Sequence, residues 1–529
     1  MPLVQLQRRA LSNGQAGYRT AFGDKDFGDV LGTTVWLALA TTFLSLVIGT
    51  AMAFVADQLP PRLRMLGILP LLPIVLPPIA SIVGWSFLLN SRTGYINVLL
   101  RHLPWWSDLV TGPIDVYTAR WIVLVTVAGF SSFVYAFVSA GLRSIPSSLL
   151  EAARTAGHTE LRANLRVAMP LLRPAFANAT VVVFLLALSQ VTAPLLLGRQ
   201  HGIDVLATEM INYTRQTPAN YGAAAAIGSP LLFFGVALVV IQRLVIGDAT
   251  RFVTHGSKGF TERTHASWWS VPILLTYGAF VVALPLLALI DRALAPFSTG
   301  KIRFDRYSLE NVRTTLGDPR LRDAVATSLT VSVIAVIVSL VVGFIAASFL
   351  AHASERGFLR HLVDLLVELP LMIPAAVFGV GFLMTYAGEP FNLYGSRIVI
   401  VLVYVTLMIP FATRMQLTSL ISLGTQYSEA SRVAGAGRLR TTARVMLPLA
   451  RPAIGGAAAL MFVLLSHEFT ASVMVRSTTT QVMGTILFDF YENGTFGWVA
   501  TMSLVMAFIT SCGLVVAFVL GGRRVLDRM

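Results

Sequence analysis

A polar, arginine-rich stretch of 25 residues, Glu151 to Ala175, occurs twice in this sequence. The second copy runs from Glu429 to Ala453 and aligns with the first without a gap, with 14 of the 25 positions identical. Both copies begin Glu-Ala, carry a glycine at the seventh position and end Arg-Pro-Ala. The small residues at the start of each copy would let another protein approach closely, so the pattern suits contact with a protein surface. The repetition at fixed spacing therefore indicates a functional element that is present in two copies.

The sequence shows no residue pattern that is typical of a catalytic or nucleotide-binding site. A phosphate-binding loop needs Gly-x-x-x-x-Gly-Lys-Ser/Thr. Of the three lysines, Lys25, Lys258 and Lys301, only Lys301 follows a glycine, and the rest of the pattern is absent. The eight histidines show no metal-ligand spacing, and we expect His467, within an apolar segment, to be a hydrogen-bonded interior residue. We therefore expect no catalytic residue, no metal site, no cofactor bound by this chain, and a protein that is not itself an enzyme.

The composition is that of a membrane protein. Of the 529 residues, 55% are hydrophobic and 12% are charged, and the mean hydropathy is +0.72. Soluble domains carry about twice that share of charge, and apolar runs of roughly 20 residues, long enough to cross a bilayer as a helix, recur throughout. The arginines behind the net charge of +14 cluster in short loops, where lipid headgroups account for them. We expect an all-α polytopic fold with membrane lipids, and not nucleic acid, as partners.

Apolar segments divide the chain into two halves. The sequence predicts about eleven spans, five in the first half and six in the second. They lie near 30–56, 67–90, 119–142, 176–198 and 223–246, and then near 269–291, 325–350, 363–386, 397–420, 453–474 and 497–520. The predicted organisation is a polar segment 1–28, a first half 29–246, a polar linker 247–267 and a second half 268–529. The repeated stretches lie in what we call the first loop, 143–175, and the second loop, 421–453.

The repetition extends beyond the two loops. Prolines and a glycine recur in the second span of the first half and the third span of the second half, and a short polar run recurs after each loop: Pro73, Pro77 and Gly84 match Pro370, Pro374 and Gly381, and Gln190 matches Glu468. Prolines at these positions are expected to break the spans and to face the protein interior. Because both loops follow equivalent spans, the halves are predicted to be parallel repeats related by an axis along the membrane normal.

The start of the chain differs from the start of the second half. The span 269–291 has no counterpart before residue 30, although the run from Tyr18 to Asp24 resembles Val312 to Asp318, where the polar loop after that span ends. An eleven-span chain places residues 1–28 outside and the C-terminal end inside, unless a further helix precedes this sequence. The positive-inside rule favours a cytoplasmic location for the two repeated loops, because each carries five arginines. The rule does not decide the orientation, because loop 292–324, which would then lie outside, carries seven basic residues.

The spacing within the two loops resembles a family motif. It is Glu-Ala-Ala, then glycine, then a branched aliphatic residue and proline, here Glu151, Ala152, Ala153, Gly157, Val167 and Pro170, and again Glu429, Ala430, Ser431, Gly435, Val445 and Pro448. This is similar to the EAA loop of binding-protein-dependent ABC importer permeases, with valine for isoleucine in both loops, Met169 for leucine and Ser431 for alanine. Two copies in one chain resemble the fused permeases of the ferric-iron and thiamine type.

The resemblance implies a fold, a location and partners. It implies the type I ABC importer permease fold in a bacterial cytoplasmic membrane. Each loop would dock as a coupling helix on a cytoplasmic ATPase subunit, so that two ATPase copies, holding ATP and Mg²⁺, would serve as partners. A periplasmic or lipid-anchored binding protein would deliver the substrate. The run from Trp85 through Ser91 to Asn97 resembles ferric-iron and polyamine permeases, so ferric iron is favoured, with thiamine, polyamines and other small solutes as alternatives.

Gln190 and Glu468 are the candidate residues of a translocation path. They occupy the same position in the two halves, and the sequence places them well inside their spans. A charge at the centre of a spanning helix costs about 2.5–3.5 kcal/mol on insertion scales, so Glu468 is expected to face the interface between halves. Two interpretations of Glu468 stay open: its side chain forms an interhelical hydrogen bond, or its carboxylate lines the path and favours a cationic substrate.

Two other functional classes compete with the importer reading. An ion-driven secondary transporter can also be built from parallel repeats. It needs intramembrane acidic residues, of which Glu468 is the one that clearly qualifies by sequence, and it leaves the repeated loops unexplained. A membrane-embedded enzyme needs a catalytic cluster, which the sequence lacks.

Overall fold

The computed structural model describes residues 2–246, 267–295, 302–352, 357–423, 426–477 and 479–521, and within them the chain forms helices and turns without a strand. The predicted linker 247–267 falls almost entirely outside the described residues. The α-helices of the first half are α1 Pro2–Gly23, α2 Phe27–Asp57, α3 Leu72–Val75, α4 Pro78–Leu89, α5 Tyr95–Leu100, α6 Ala119–Ser144, α7 Ser147–Thr155, α8 Glu160–Ala163, α9 Met169–Leu171, α10 Arg173–Leu188, α11 Leu206–Arg215 and α12 Tyr221–Ile246.

The second half continues in the same manner. Its α-helices are α13 Ser270–Gly278, α14 Leu284–Leu294, α15 Glu310–Gly317, α16 Pro319–His352, α17 Phe358–Met372, α18 Ala375–Tyr386, α19 Arg397–Leu423, α20 Gln426–Val433, α21 Arg438–Thr441, α22 Leu447–Ser466, α23 Ser472–Val475, α24 Met483–Glu492 and α25 Phe496–Gly521. Short 3₁₀ segments cover Pro61–Leu71, Arg199–His201 and Phe304–Arg306, and single π turns cover Asn164–Ala168, Pro194–Gly198, Ala279–Ala283 and Thr442–Met446.

The number of membrane-spanning elements agrees with the sequence prediction. Among the described residues, eight helices are long and apolar enough to cross a membrane, and the count rises to eleven if each of three sharply bent helix pairs is one span. The all-α polytopic prediction is confirmed, and so is the recurrence of one helical pattern in two halves.

Prolines break the second span of the first half and the equivalent third span of the second half. The segments Pro61–Val75 and Pro78–Leu89 meet at 92°, and Phe358–Met372 and Ala375–Tyr386 meet at 105°. The residue before each break is extended, with ψ of 122° at Leu76 and 124° at Ile373, because a following proline disfavours helical geometry in its predecessor. The outer pieces, α4 and α18, lie in the main core, as expected for broken helices that protein must surround.

The polar segment 1–28 contains a packed helix, which polarity alone did not predict. Leu6, Ala10 and Ala21 on α1 are fully buried, and α1 packs against α12 and α18. Gly17 lies so close to α12 that an added Cβ would stand 2.4 Å from the Gly222 carbonyl oxygen. A narrow stripe of small apolar residues is enough to bury one face of a helix that is otherwise polar.

The leading helices of the two halves are exchanged. α14 packs on α4 of the first half, and α1 packs on α18 of the second half. Gly84 on α4 faces Pro285 of α14, and the matching Gly381 on α18 faces Pro2 of α1. Each half therefore holds the broken span of the other, which joins the two halves into one bundle.

Candidate functional site

The first loop forms a helix, a tight turn and a second helix. α7 ends at Thr155, and Gly157 adopts φ +85°, a left-handed conformation that favours glycine. The Gly157 N–H donates to the Arg154 carbonyl at 2.9 Å, and the His158 N–H donates to the Ala153 carbonyl at 3.1 Å. This pairing closes the end of α7 in the manner of a Schellman cap and sets the direction in which α8 leaves.

The second loop repeats this geometry around Gly435, which adopts φ +79°. The Gly435 N–H donates to the Arg432 carbonyl, and the Ala436 N–H donates to the Ser431 carbonyl, both at 3.0 Å. A Cβ added at Gly157 or Gly435 would meet nothing within 4 Å. The requirement for glycine is therefore the backbone conformation itself and not crowding.

The third residue of each motif packs across the turn onto the second helix. In the first loop, Ala153 and Ala163 are both buried in one apolar cluster. At the matching positions of the second loop, the Ser431 and Thr441 hydroxyl groups are hydrogen-bonded at 3.0 Å. The departure from alanine at Ser431 is thus matched by a hydroxyl on the facing helix.

We expect Ser431→Ala alone to destabilise the second loop by about 0.5–1.5 kcal/mol, because Thr441 loses a hydrogen-bond partner in a buried position. Ser431→Ala combined with Thr441→Ala recreates the alanine pair of the first loop and should recover part of that loss. Thermal unfolding of the purified protein in detergent measures the difference. Strictly additive losses in the double variant would contradict the pairing, and Ala153→Ser with Ala163→Thr is the reciprocal control.

The outward surface of the two loops is open. Glu151, Ala152, Glu429 and Ala430 are all exposed. Pro170 lies in the one-turn helix α9, which is followed by a 62° bend before α10, whereas Pro448 lies in the first turn of α22, and the span runs from Leu439 to Ser466 without such a bend. Each proline lies two residues after a π turn, Asn164–Ala168 or Thr442–Met446, where the regular helical hydrogen-bond pattern is already altered.

Gln190 and Glu468 lie at breaks in the spans, not well inside continuous helices as the sequence suggested. α10 ends at Leu188 and α22 ends at Ser466. The Gln190 side-chain amide donates to Thr126 Oγ1 on α6 at 2.6 Å. In both halves the residues that follow the break are buried, as Val191–Gly198 and Ala471–Val475 show. Irregular backbone at membrane depth is tolerated where protein or a cavity surrounds it.

The Glu468 carboxylate is bound by donors of its own chain. Oε1 accepts the Ala471 N–H at 2.7 Å, and Oε2 accepts the Ser472 N–H at 3.0 Å and the Ser472 hydroxyl at 2.5 Å. The Ser472 hydroxyl is also hydrogen-bonded to the Tyr404 hydroxyl at 2.9 Å, and Tyr404 occupies the position in α19 that Thr126 has in α6. The carboxylate therefore caps the short helix α23 and ties it to α19.

The second half contains an ion cluster that the sequence did not predict. Arg414 on α19 contacts Asp364 Oδ1 at 2.8 Å and also Glu368, both on α17. An available signal was the four-residue spacing of two acids on an apolar helix, which places them on one face, together with an arginine in a span. The sequence also suggested a hydrogen-bonded His467, but its Nδ1 is buried without a partner.

Contacts between the halves also join α24 to the segment that follows the break at Gln190, which includes α11. The carboxylate of Glu492 lies 3.6 Å from the guanidinium groups of both Arg199 and Arg215. The Tyr491 hydroxyl donates to the Leu196 carbonyl at 2.8 Å. Nothing in the local sequence around these residues indicated that they would meet.

Comparison with known proteins identifies the family. The family described as the binding-protein-dependent transport system inner membrane component matches the chain twice, at residues 71–249 and 339–523. Each match contains one copy of the repeated stretch. The chain belongs to this family. It is a fused permease, because both permease repeats and both loops lie in one polypeptide.

Similar proteins include ferric transport permeases. The "Ferric transport system permease protein FbpB" of Actinobacillus pleuropneumoniae is 25% identical over 485 residues, which cover 88% of this permease and 67% of that protein. The "Putative ferric transport system permease protein FbpB 1" of Haemophilus influenzae is 25% identical, with 86% of this permease and 71% of that protein covered. The "sn-glycerol-3-phosphate transport system permease protein UgpA" of Salmonella typhimurium is 28% identical over 45% of this permease and 81% of that protein.

Proposed function

We propose that this permease forms the path by which ferric iron crosses the cytoplasmic membrane of a bacterium, driven by ATP hydrolysis on separate subunits. The observation that carries the proposal is the pair of loops with one backbone geometry and an exposed Glu-Ala face in each. The two relatives named as ferric transport permeases align with most of the chain and support ferric iron over thiamine, polyamines and other small solutes.

The two loops would dock on two cytoplasmic ATPase subunits, which would hold ATP and Mg²⁺. The sequence lacks a phosphate-binding loop, so the energy source lies elsewhere, and the left-handed glycines give each loop a fixed shape for recognition. A binding protein on the outer side would deliver the substrate. ATP binding would move both loops together and rock the halves between inward-open and outward-open states.

The path would run between the halves, beside the breaks at Gln190 and Glu468. Discontinuous helices at matching positions of two repeats are characteristic of transport sites. The contacts of Glu492 and Tyr491 across the halves hold α24 against Arg215 on α11 and against Leu196 and Arg199, which precede α11. In an outward-open state these contacts would have to separate.

We expect cysteines at Ala152 and Ala430 to crosslink to the ATPase subunit that copurifies with the permease. Both alanines are exposed and directly follow the glutamate of the motif, so a cysteine engineered into the cleft of the docked ATPase subunit should come within disulfide range of either position. Membrane vesicles that contain the complex, treated with a mild oxidant, give the measurement. Free labelling of both cysteines by a thiol reagent in the assembled complex, with no crosslink, would refute the docking.

Ferric uptake tests the substrate. Proteoliposomes with the permease, its ATPase and its binding protein should accumulate radioactive iron when ATP is enclosed, and excess thiamine or spermidine should not compete. Accumulation of a competitor in place of iron would support an importer function but refute ferric iron as the substrate.

A further inference from the structure

The two loops differ in chemistry at the residue that ends their first helix. Thr155 ends α7 and Val433 ends α20, each two residues before the left-handed glycine. The Thr155 hydroxyl donates back to the Ala152 carbonyl at 2.9 Å and approaches the Glu151 carbonyl at 3.2 Å. Val433 has no such group, and its side chain is 90% exposed. The same backbone thus presents a polar residue in one loop and a bare aliphatic residue in the other.

A second apolar side chain enlarges this surface. Leu439 lies on the other side of the Gly435 turn and is 88% exposed. Tyr427, at the start of α20, is about half exposed, while Leu149 at the matching position of the first loop is less so. Single exposed apolar residues are ordinary, and the first loop also exposes Leu149 and Leu165 and has Leu161 at the position of Leu439. The position at which an aliphatic residue of the second loop replaces a polar one of the first is Val433, and the proposed function places the exposed apolar residues of both loops against a protein. Their burial on a partner would be favourable.

The second loop is also connected more rigidly to the membrane domain. The span from Leu439 to Ser466 is without a sharp bend, whereas the corresponding segments of the first half meet at 62° before α10. A displacement of the second loop would therefore reach the break at Glu468 along a single helix. The first loop has an angle between itself and Gln190.

We propose that the second loop is the stronger of the two ATPase contacts, and that Val433 supplies the difference. The proposal rests on the proposed function, in which both loops dock on ATPase subunits. If the two subunits are identical, one cleft must accept both threonine and valine at this position, and the valine gains from leaving water. The partner surface that meets Val433 is accordingly apolar.

Exchange variants test this inference in the full chain, held in lipid nanodiscs with purified ATPase subunit. With limiting ATPase, a cysteine at Ala430 should crosslink faster than one at Ala152. We expect Val433→Thr to weaken ATPase binding about tenfold, which corresponds to about 1.4 kcal/mol, and Thr155→Val to strengthen it. The double exchange should reverse the crosslinking preference so that the cysteine at Ala152 reacts first.

Charge is the competing explanation, because Glu160 in the first loop is replaced by Arg438 in the second. The variant Glu160→Arg with Arg438→Glu is the matched control, and it should leave the preference in place. A preference that follows this charge exchange, or equal crosslinking at both loops with no effect of Val433→Thr, would overturn the inference while leaving docking intact. Absence of crosslinks at both loops would instead refute the proposed function itself.

Discussion

Gly435→Val is expected to stop transport while the permease remains inserted in the membrane. Valine at φ +79° is strongly disfavoured, since a left-handed residue with a Cβ costs roughly 1–2 kcal/mol and a β-branched side chain is the worst case. The hydrogen bonds that close α20 would be lost, and α21 would leave at another angle. Such an energy alone lowers the population of the competent conformation by about five- to thirtyfold, so we expect uptake to fall at least that far and, with α21 misdirected, to be largely abolished.

Gly435→Asn is the matched control, because asparagine adopts the left-handed conformation more readily than other residues with a side chain. It should retain most activity, and Gly435→Asp should lie between the two. The space around the turn is open, so side-chain volume cannot explain a difference between these variants. Gly157→Val should be milder, because it leaves intact the second loop, which we propose to be the stronger of the two ATPase contacts. Equal activity of the valine and asparagine variants at Gly435, at equal membrane abundance, would show that the turn geometry has no part in coupling.

Local rules made the loops and the broken spans predictable. A glycine that ends a short helix, and prolines that follow extended residues, act through the backbone of their own neighbours. The turn at Gly157, its copy at Gly435 and the breaks before Pro77 and Pro374 therefore follow from a few adjacent residues. The repetition strengthened each of these predictions, because the same reasoning had to hold twice.

Contacts between distant segments were not predictable in this way. The burial of Leu6 and Ala10 depends on α12 and α18, more than 200 residues away. The pairing of Arg414 with Asp364 and Glu368 depends on how α17 is placed after its break. Sequence periodicity shows which face of a helix is apolar but not which helix will cover it. Neither the packing of α1 nor the ion cluster around Arg414 therefore follows from local patterns.

The contacts of the Glu468 side chain were likewise not predictable from the sequence. Its position opposite Gln190 was evident from the repeat, but the sequence left open whether its carboxylate faces a path or a hydrogen-bond partner. The groups that contact the carboxylate are donors, among them the Ala471 N–H and the N–H and hydroxyl of Ser472. A glutamine at this position has one acceptor oxygen and presents its own donors on the other side, so it cannot reproduce the cap.

We therefore expect Glu468→Gln and Glu468→Ala both to lower thermal stability and substrate uptake together. Each buried donor left without a partner costs about 1–3 kcal/mol, so the loss should exceed that of Gln190→Ala, which removes the one hydrogen bond to Thr126, worth about 0.5–1.5 kcal/mol. Thermal unfolding in detergent and uptake into proteoliposomes are the paired measurements. Wild-type stability of Glu468→Gln with reduced uptake would instead favour the carboxylate as a charge in the path, because only loss of the charge would then explain the defect. If both variants behave as wild type in both assays, neither the cap nor the path depends on this carboxylate, and the cationic nature of the substrate would rest on the relatives alone.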